Sequence, residues 1–332
     1  MKCVKVPLRQ LNDARIKLME NGSMNMEYRI KTDGDFGYIP INENINNYEI
    51  VDVELEPMKK VPHNFAELLE DELTCEEIEN LRTSFDTIGD IVILEIPENL
   101  QDKKQIIGDA ALKFTKRKSI YMKRSAIKGT TRVRDLEFLS GVDDSVTIHK
   151  EHGARLKLDV RKVYFSPRLA TERKRVMQSV NDGEKILDMF CGIGPFPIVI
   201  ARNKQVDITA VDINESAIEY LNENIKLNKL KGTIQTYCGD VRQVSDNFNF
   251  KFDRIIMNLP GLAYTFLDVA ANLIEDGGII NYYEFSDSYE QGIKRLTDAC
   301  KAAGKEVEII NCRKVKSTSP GEWHVAIDGK II

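Results

Sequence analysis

The feature that most constrains this chain is a glycine turn, ILDMFCGIGPF, at residues 186–196. An apolar run carries Asp188 near its end and passes directly into Gly192 and Gly194, beyond which a helical pattern begins. Two glycines at a strand end let the backbone pass close to a ligand that side chains would hold away, as in the first βα turn of a parallel sheet. The residues around it keep the same rhythm from Ser166 to the end of the 332-residue chain. SPRLATERKRVMQSV is expected as a helix, with Ser166 as its cap and Pro167 in the first turn. KILDMF, DITAVDI, TIQTYC, DRIIMN and GIINYYEF read as strands, followed by two closing strands. Between them, NESAIEYLNENIKLNKL, GLAYTFLDVAANLIEDG and SDSYEQGIKRLTDACKAAG read as helices. Alternation of this kind predicts an α/β domain of Rossmann-like type with a mostly parallel seven-stranded sheet.

The acidic strand ends say what the glycine turn serves. After Asp188, the strand ITAVDIN ends in Asp212, placed to accept two ribose hydroxyls. A third strand ends in Cys238-Gly239-Asp240-Val241, where Asp240 can meet the exocyclic amine of an adenine. A dinucleotide site would call for G-x-G-x-x-G, but the sixth position here is Pro197 and no cation follows to hold phosphate. The D-x-F-x-G-x-G-x-F context instead resembles the S-adenosylmethionine-dependent methyltransferases of the Rossmann-like class. That resemblance makes Asp188, Phe190, Gly192, Gly194, Asp212, Ile213, Asp240, Val241 and Asn258 the candidate cofactor contacts.

Two smaller units are expected ahead of this domain. Residues 1–56 read as a small α/β unit, with the strand CVKVP, a helix closed by Gly22, a hairpin at Asp33-Gly34 and the strand YEIVDVELEP. PMKKVPHN, residues 57–64, reads as a linker, and the second unit is taken as 57–165. It opens on NFAELLEDELTCEEIENLRTSF, expected as one acidic amphipathic helix capped by Asn64, and continues with a mixture of strands and a helix. The third unit is 166–332.

Net charge is −5, yet residues 113–134 hold nine basic residues and no acidic one. Such a run is either a solvated face with helix-end cations or a surface for a polyanion. On the second reading Lys116, Arg117, Lys118, Lys123, Arg124, Lys128 and Arg134 are the candidate RNA contacts. The six cysteines are scattered without metal-ligand spacing, so reduced thiols and no metal are expected. No apolar run approaches the ~20 residues of a membrane span, and MKCVKVPLRQ lacks the apolar core of a signal sequence. A cytoplasmic protein is expected.

The fourth strand delivers MNLPG to the place where a methyl sulfonium would lie. Methyltransferases of exocyclic amines usually carry Asn/Asp-Pro-Pro-aromatic there. Asn258 and the Leu259 carbonyl, fixed by Pro260, can still accept hydrogen bonds, but Gly261 cannot stack on a base. A ring nitrogen that carries a proton fits this better. Its methylation requires a general base near the nitrogen and a cation where negative charge develops. Glu172 and the basic run ending in Arg132-Val133-Arg134 are the candidates. Plainer readings exist: Glu172 pairing with Lys174 or Arg175 along a helix, and Arg132 as one more phosphate contact; Tyr164, at the strand end before Ser166, reads plainly as core.

RVRDLEFLSG, TIHKEHG, KVYFSPRLATER, ILDMFCGIGPF, DINESAIEYLNENIKLNKL, GDVR and IIMNLPG together resemble the archaeal and eukaryotic tRNA (guanine-37, N1)-methyltransferase family. The resemblance implies that Glu172 takes the N1 proton and Arg132 stabilises charge on O6. It implies that Tyr164 and Asn258 position base and methyl donor, and that Arg173 helps hold the cofactor. It also implies tRNA as the partner, with the basic run on the anticodon arm, residues 1–56 at the outer corner, and a monomer. Three alternatives share these residues: C7 methylation of a wyosine precursor at the same position as a second activity, aminocarboxypropyl transfer, which needs no base, and silent RNA binding.

Overall fold

The computed structural model describes residues 1–58, 62–125, 134–319 and 321–332. The chain forms two compact units, Met1–His63 and Asn64–Ile332.

In the first unit β1 (Lys2–Pro7) lies between β3 (Phe36–Pro40) and β4 (Glu49–Asp52), and β2 (Lys31–Asp33) flanks β3. All pairings are antiparallel. Gly34 turns the β2–β3 hairpin with a positive φ of 55°, as the Asp-Gly pair predicts. α1 (Leu11–Glu20) buries Ala14 and Leu18 against Val4, Val6 and Ile39 of the sheet.

The second unit opens differently from the sequence expectation. The acidic stretch is not one helix. Asn64 caps a short 3-10 turn, Phe65–Leu68, by accepting from the Ala66 amide at 2.8 Å. A separate helix, α2 (Cys75–Asn80), starts at Thr74. The reason is a reciprocal cap: the Thr74 hydroxyl accepts from the Glu77 amide at 3.3 Å, and the Glu77 carboxylate accepts from the Thr74 amide at 2.8 Å. Such a capping box fixes its first residue in extended geometry, so no helix can run through Thr74.

A four-stranded sheet follows in the order β5 (Asp86–Ile88), β6 (Ile91–Leu94), β7 (Ser119–Lys123), β8 (Leu136–Gly141), with α3 (Lys104–Thr115) crossing between β6 and β7. The hairpin of β9 (Val146–Glu151) and β10 (Ala154–Asp159) comes next.

The remaining strands form the expected seven-stranded sheet. After α4 (Ala170–Ser179) come β11 (Lys185–Asp188), α5 (Pro195–Asn203), β12 (Asp207–Asp212), α6 (Glu215–Leu227), β13 (Thr233–Cys238), α7 (Val241–Val244) and β14 (Phe252–Met257). α8 (Leu267–Leu273), β15 (Ile274–Ser286), α9 (Glu290–Ala302), β16 (Val307–Ser319) and β17 (Glu322–Ile331) complete it. The order is β13-β12-β11-β14-β15-β17-β16, with the first five strands parallel and the last two pairings antiparallel. Strand order reverses at β11, and open α/β sheets bind ligands at such a switch point, outside the carboxyl ends of the strands.

Two helix expectations in this region need correction. The helix from Ser166 begins as a 3-10 turn, Pro167–Leu169, and the Ser166 hydroxyl caps nothing. Its carbonyl instead accepts from Arg173 Nη2 at 3.1 Å. The helix expected through residue 277 ends at Leu273, because Ile274 turns extended, is fully buried and pairs with Phe252 as the first residue of β15. Burying a β-branched side chain in the sheet outweighs one more helical turn.

Candidate active site

The glycine turn takes the conformation that its residues require. Gly192 and Gly194 have φ of 54° and 83°. A Cβ on Gly194 would stand 2.2 Å from Leu221 Cδ1, so this glycine lets α6 pack against the turn. Over Gly192 the nearest atom to such a Cβ is the Tyr164 carbonyl oxygen, 4.0 Å away, so that side opens into a cleft. Asn224 of α6 secures the arrangement from below. Fully buried, it donates to the carbonyls of Ile193 in the turn and Lys157 in β10, both at 3.1 Å, and accepts from the Lys157 amide at 2.7 Å.

The three acidic strand ends differ in their surroundings. Asp212 accepts from the Gly192 amide at 2.7 Å and the Asn214 amide at 2.9 Å, so it both shapes the turn and faces the cleft. Asp240 caps α7 through the Arg242 amide at 2.9 Å and also faces the cleft. Asp188 is buried beneath them. One of its oxygens accepts from the Phe190 amide at 3.3 Å, and the other is buried without a hydrogen-bond partner. Burial, aided by the negative charge of Asp212 and opposed by the Phe190 amide, pushes its pKa up to about 8.

Of the other candidates from the sequence, Tyr164, Arg173, Phe190, Ile213, Val241 and Asn258 line the same cleft. Asp188, Gly194 and Glu172 lie outside its wall. Residues 126–133, which include Lys128 and Arg132, are outside the described residues. The structure adds wall residues that no motif marked, among them Asn214, Phe266, Phe285, Lys316 and His324. Asn214 directly follows the Asp212-Ile213 pair and could have been found there. Phe285, Lys316 and His324 sit on β15, β16 and β17, whose pairing brings Lys316 opposite His324; no local pattern announces it.

Glu172 is 1% exposed and sits on the face of α4 turned toward β15 and β16. It accepts from the Tyr283 hydroxyl at 2.8 Å and from Arg175 Nη2 at 2.7 Å, and pairs with Arg313 Nη1 at 3.3 Å. The pairing with Arg175 is therefore present, but in the interior and not along an exposed helix face. Arg175 continues to Asp328 at 2.6 Å, and Asp328 accepts from Asn281 and Asn311. Burial, then the Glu172 carboxylate, holds the Tyr283 phenol well above its usual pKa, so it stays a donor. Arg173 is equally buried: it binds Glu151 through Nε at 2.6 Å and lies over the Phe165 ring.

The basic run is partly neutralised. Lys118 pairs with Asp144 at 2.6 Å, Arg124 with Glu137 at 3.2 Å, and Lys123 with Asp86 and Glu95, both at 3.6 Å. Lys116 and Arg117 are exposed at the end of α3. Arg134 sits with its guanidinium 5.7 Å from the Tyr164 ring centre.

The cleft suits an adenosyl group. Two carboxylates stand at neighbouring strand ends, apolar Ile213, Val241 and Phe266 stand among them, and the absent Cβ of Gly192 leaves the floor open. Comparison with known proteins agrees. Residues 147–310 match the model of the TRM5/TYW2 methyltransferase domain, residues 65–145 the TYW2 N-terminal domain, and residues 3–49 the tRNA methyltransferase 5 N-terminal domain. A tRNA (guanine(37)-N(1))-methyltransferase Trm5b of Pyrococcus abyssi is 42% identical over 99% of this chain and 98% of its own length. The chain belongs to the TRM5/TYW2 methyltransferase family. Within that family, a tRNA(Phe) (4-demethylwyosine(37)-C(7)) aminocarboxypropyltransferase of Methanocaldococcus jannaschii is 36% identical over 74% of this chain and 97% of its own. The solved complex of aTrm5 with tRNALeu superposes with a TM-score of 0.86 at 37% identity, covering both chains completely. Among the described residues, no helix is long and apolar enough to cross a membrane.

Proposed function

We propose that this protein transfers a methyl group from S-adenosylmethionine to N1 of guanosine 37 in the anticodon loop of tRNA, leaving S-adenosylhomocysteine. The observation that carries the proposal is the full-length likeness to Trm5b, which includes the first unit as well as the methyltransferase domain. The aminocarboxypropyl transfer of the shorter relative is the weaker reading, because that protein matches only 74% of this chain.

S-adenosylmethionine, when bound, supplies an electrophilic methyl on a sulfonium. Asp212 would hold its ribose hydroxyls and Asp240 its adenine amine, with Phe190, Ile213 and Val241 against the adenosyl group and Arg173 in the cleft wall. Asn258 and Tyr164, both in that wall, would position the guanine edge. Extrusion of the base from the anticodon loop is required for it to reach such a recess.

Glu172 is the proposed acceptor of the N1 proton, and Arg132 the cation opposite O6. In the resting chain both Glu172 oxygens are engaged by Arg175, Arg313 and Tyr283. Acting as a base therefore requires Glu172 to give up one of these partners when tRNA binds. Lys116, Arg117, Lys118, Lys123, Arg124, Lys128 and Arg134 would face the anticodon arm and residues 1–56 the outer corner. A monomer is proposed.

Nucleoside mass spectrometry of tRNA transcripts bearing G or A at position 37 tests the assignment. 1-Methylguanosine in the G37 transcript alone is expected; methylation of the A37 transcript would overturn it. Including a wyosine-precursor substrate reads C7 methylation in the same experiment.

A further inference from the structure

A second, smaller depression adjoins the cofactor cleft. Tyr164 and Phe165 line both, and Asp86 and Arg134 line the second. Around Asp86 the charge is unbalanced. Arg168 Nε meets one of its oxygens at 2.5 Å, and Lys123 Nζ stands 3.6 Å from the other. The second carboxylate nearby, Glu95, is shared between Lys123 and Arg82. Arg134 is close enough that its charge, with that of Arg168, acts on Lys123. Its Nε–H is buried without an acceptor. An arginine donor withdrawn from water and left unpaired costs free energy that an anionic oxygen would recover. Two cations therefore meet at Asp86, and the third, Arg134, stands in the same depression beside Tyr164 and carries a vacant donor.

We propose that Lys123, Arg134 and Arg168 form a phosphodiester subsite that holds a backbone phosphate next to the nucleotide whose base enters the cleft across Tyr164. This rests on the reading of the protein as an RNA methyltransferase. Phosphate contacts fix register and orientation without reading sequence, and that is the task here: the target base must be held at one depth relative to the methyl donor. The three residues come from different parts of the fold. Lys123 ends β7, Arg134 precedes β8, and Arg168 lies in the 3-10 turn before α4. Of these, only Arg168 lay outside the basic run of the sequence, and it reaches the site because the turn before α4 packs against β5.

The competing account is a staple, in which Asp86 merely ties β7 to the turn before α4. The full chain with G37 tRNA transcripts separates the two. Arg134→Gln and Arg168→Gln should each weaken tRNA binding about tenfold near 0.15 M salt and lower the slope of log Kd against log salt by about one. Affinity for S-adenosylmethionine should be unchanged. Asp86→Asn, which adds net positive charge, should tighten tRNA binding and steepen the slope. A staple predicts the opposite for Asp86→Asn: a lower melting temperature with no gain in tRNA affinity. Methylphosphonate at each linkage flanking nucleotide 37, one at a time, locates the phosphate. One linkage should reproduce the loss seen in Arg168→Gln and add nothing to it, whereas fully additive losses at both linkages would overturn the subsite. Arg168→Lys keeps the charge and should restore most of the affinity, which guards against misfolding of the Gln variant. Should wild-type protein leave G37 unmethylated, the enzyme reading fails. Wild-type activity together with unaltered binding and salt slopes in both Gln variants removes the subsite alone.

Discussion

At the scale of single residues, two buried carboxylates do opposite things. Asp188 is short of partners and Glu172 has a surplus. In the folded chain Asp188 titrates near 8, against roughly 3.9 when unfolded. Between those values the folded chain retains a proton that the unfolded chain has released. The contribution of Asp188 to stability is therefore full below about pH 4 and is lost as pH rises toward 8. Asp188→Asn removes this dependence, so without cofactor its melting temperature should fall less between pH 5 and pH 8 than that of the wild type; superimposable profiles in scanning calorimetry would refute it. Glu172 calls for a gentler probe than alanine. Removing its carboxylate takes this acceptor from Arg313 and the Tyr283 phenol and leaves Arg175 with Asp328 alone, and breaking a buried pair costs ~3–5 kcal/mol. Glu172→Gln keeps an acceptor oxygen but cannot take a proton. Single-turnover rates should drop ~10²–10⁴-fold, the usual worth of a general base, with S-adenosylmethionine affinity unchanged. Wild-type turnover would leave Glu172 a structural residue. Asp212 was legible as a strand-end acid, while the burial of Glu172 was not, since Tyr283 lies 111 residues along the chain.

Among the elements, the glycine turn was the most legible and also the least tolerant of change. Gly194→Ala would hold a side chain at a φ of 83° and drive its Cβ to 2.2 Å from Leu221. A non-glycine residue in that region costs ~1–3 kcal/mol before any clash. Scanning calorimetry without cofactor should show a larger fall in melting temperature than in Gly192→Ala, where no protein atom stands closer than the Tyr164 oxygen at 4.0 Å. Equal effects would mean that packing of α6 is irrelevant to the turn. The helix boundaries were harder to read. Residues 64–85 have helical periodicity throughout, yet the Thr74–Glu77 box splits them. Residues 261–277 likewise look helical until Ile274 joins the sheet beside Phe252. In both cases a short-range pattern was overruled by a local hydrogen-bond exchange or by burial.

For the molecule as a whole, the division into Met1–His63 and Asn64–Ile332 separates two cores. Every wall residue of the cofactor cleft belongs to the second unit. Residues 64–332 alone should therefore melt cooperatively and bind S-adenosylmethionine as the full chain does. If residues 1–56 contact the outer corner of tRNA, the same truncation raises KM for tRNA at least several-fold while kcat at saturating tRNA changes little. An unchanged KM would detach the first unit from tRNA recognition. The net charge of −5 hides this partner, because opposite charges that lie apart cancel in the sum but not on the surface.

The sequence by itself determined the parallel sheet, the glycine turn and the three acidic strand ends. Each is written in a few adjacent residues, whose backbone and periodicity requirements are local. The other wall of the cleft was decided by tertiary structure. Phe285, Lys316 and His324 meet there because β15, β17 and β16 pair antiparallel in a particular register. Glu172 turns inward because Tyr283 and Arg313 of those same strands offer donors to it. Register between distant strands follows from packing over the whole sheet, and no short stretch of sequence contains it.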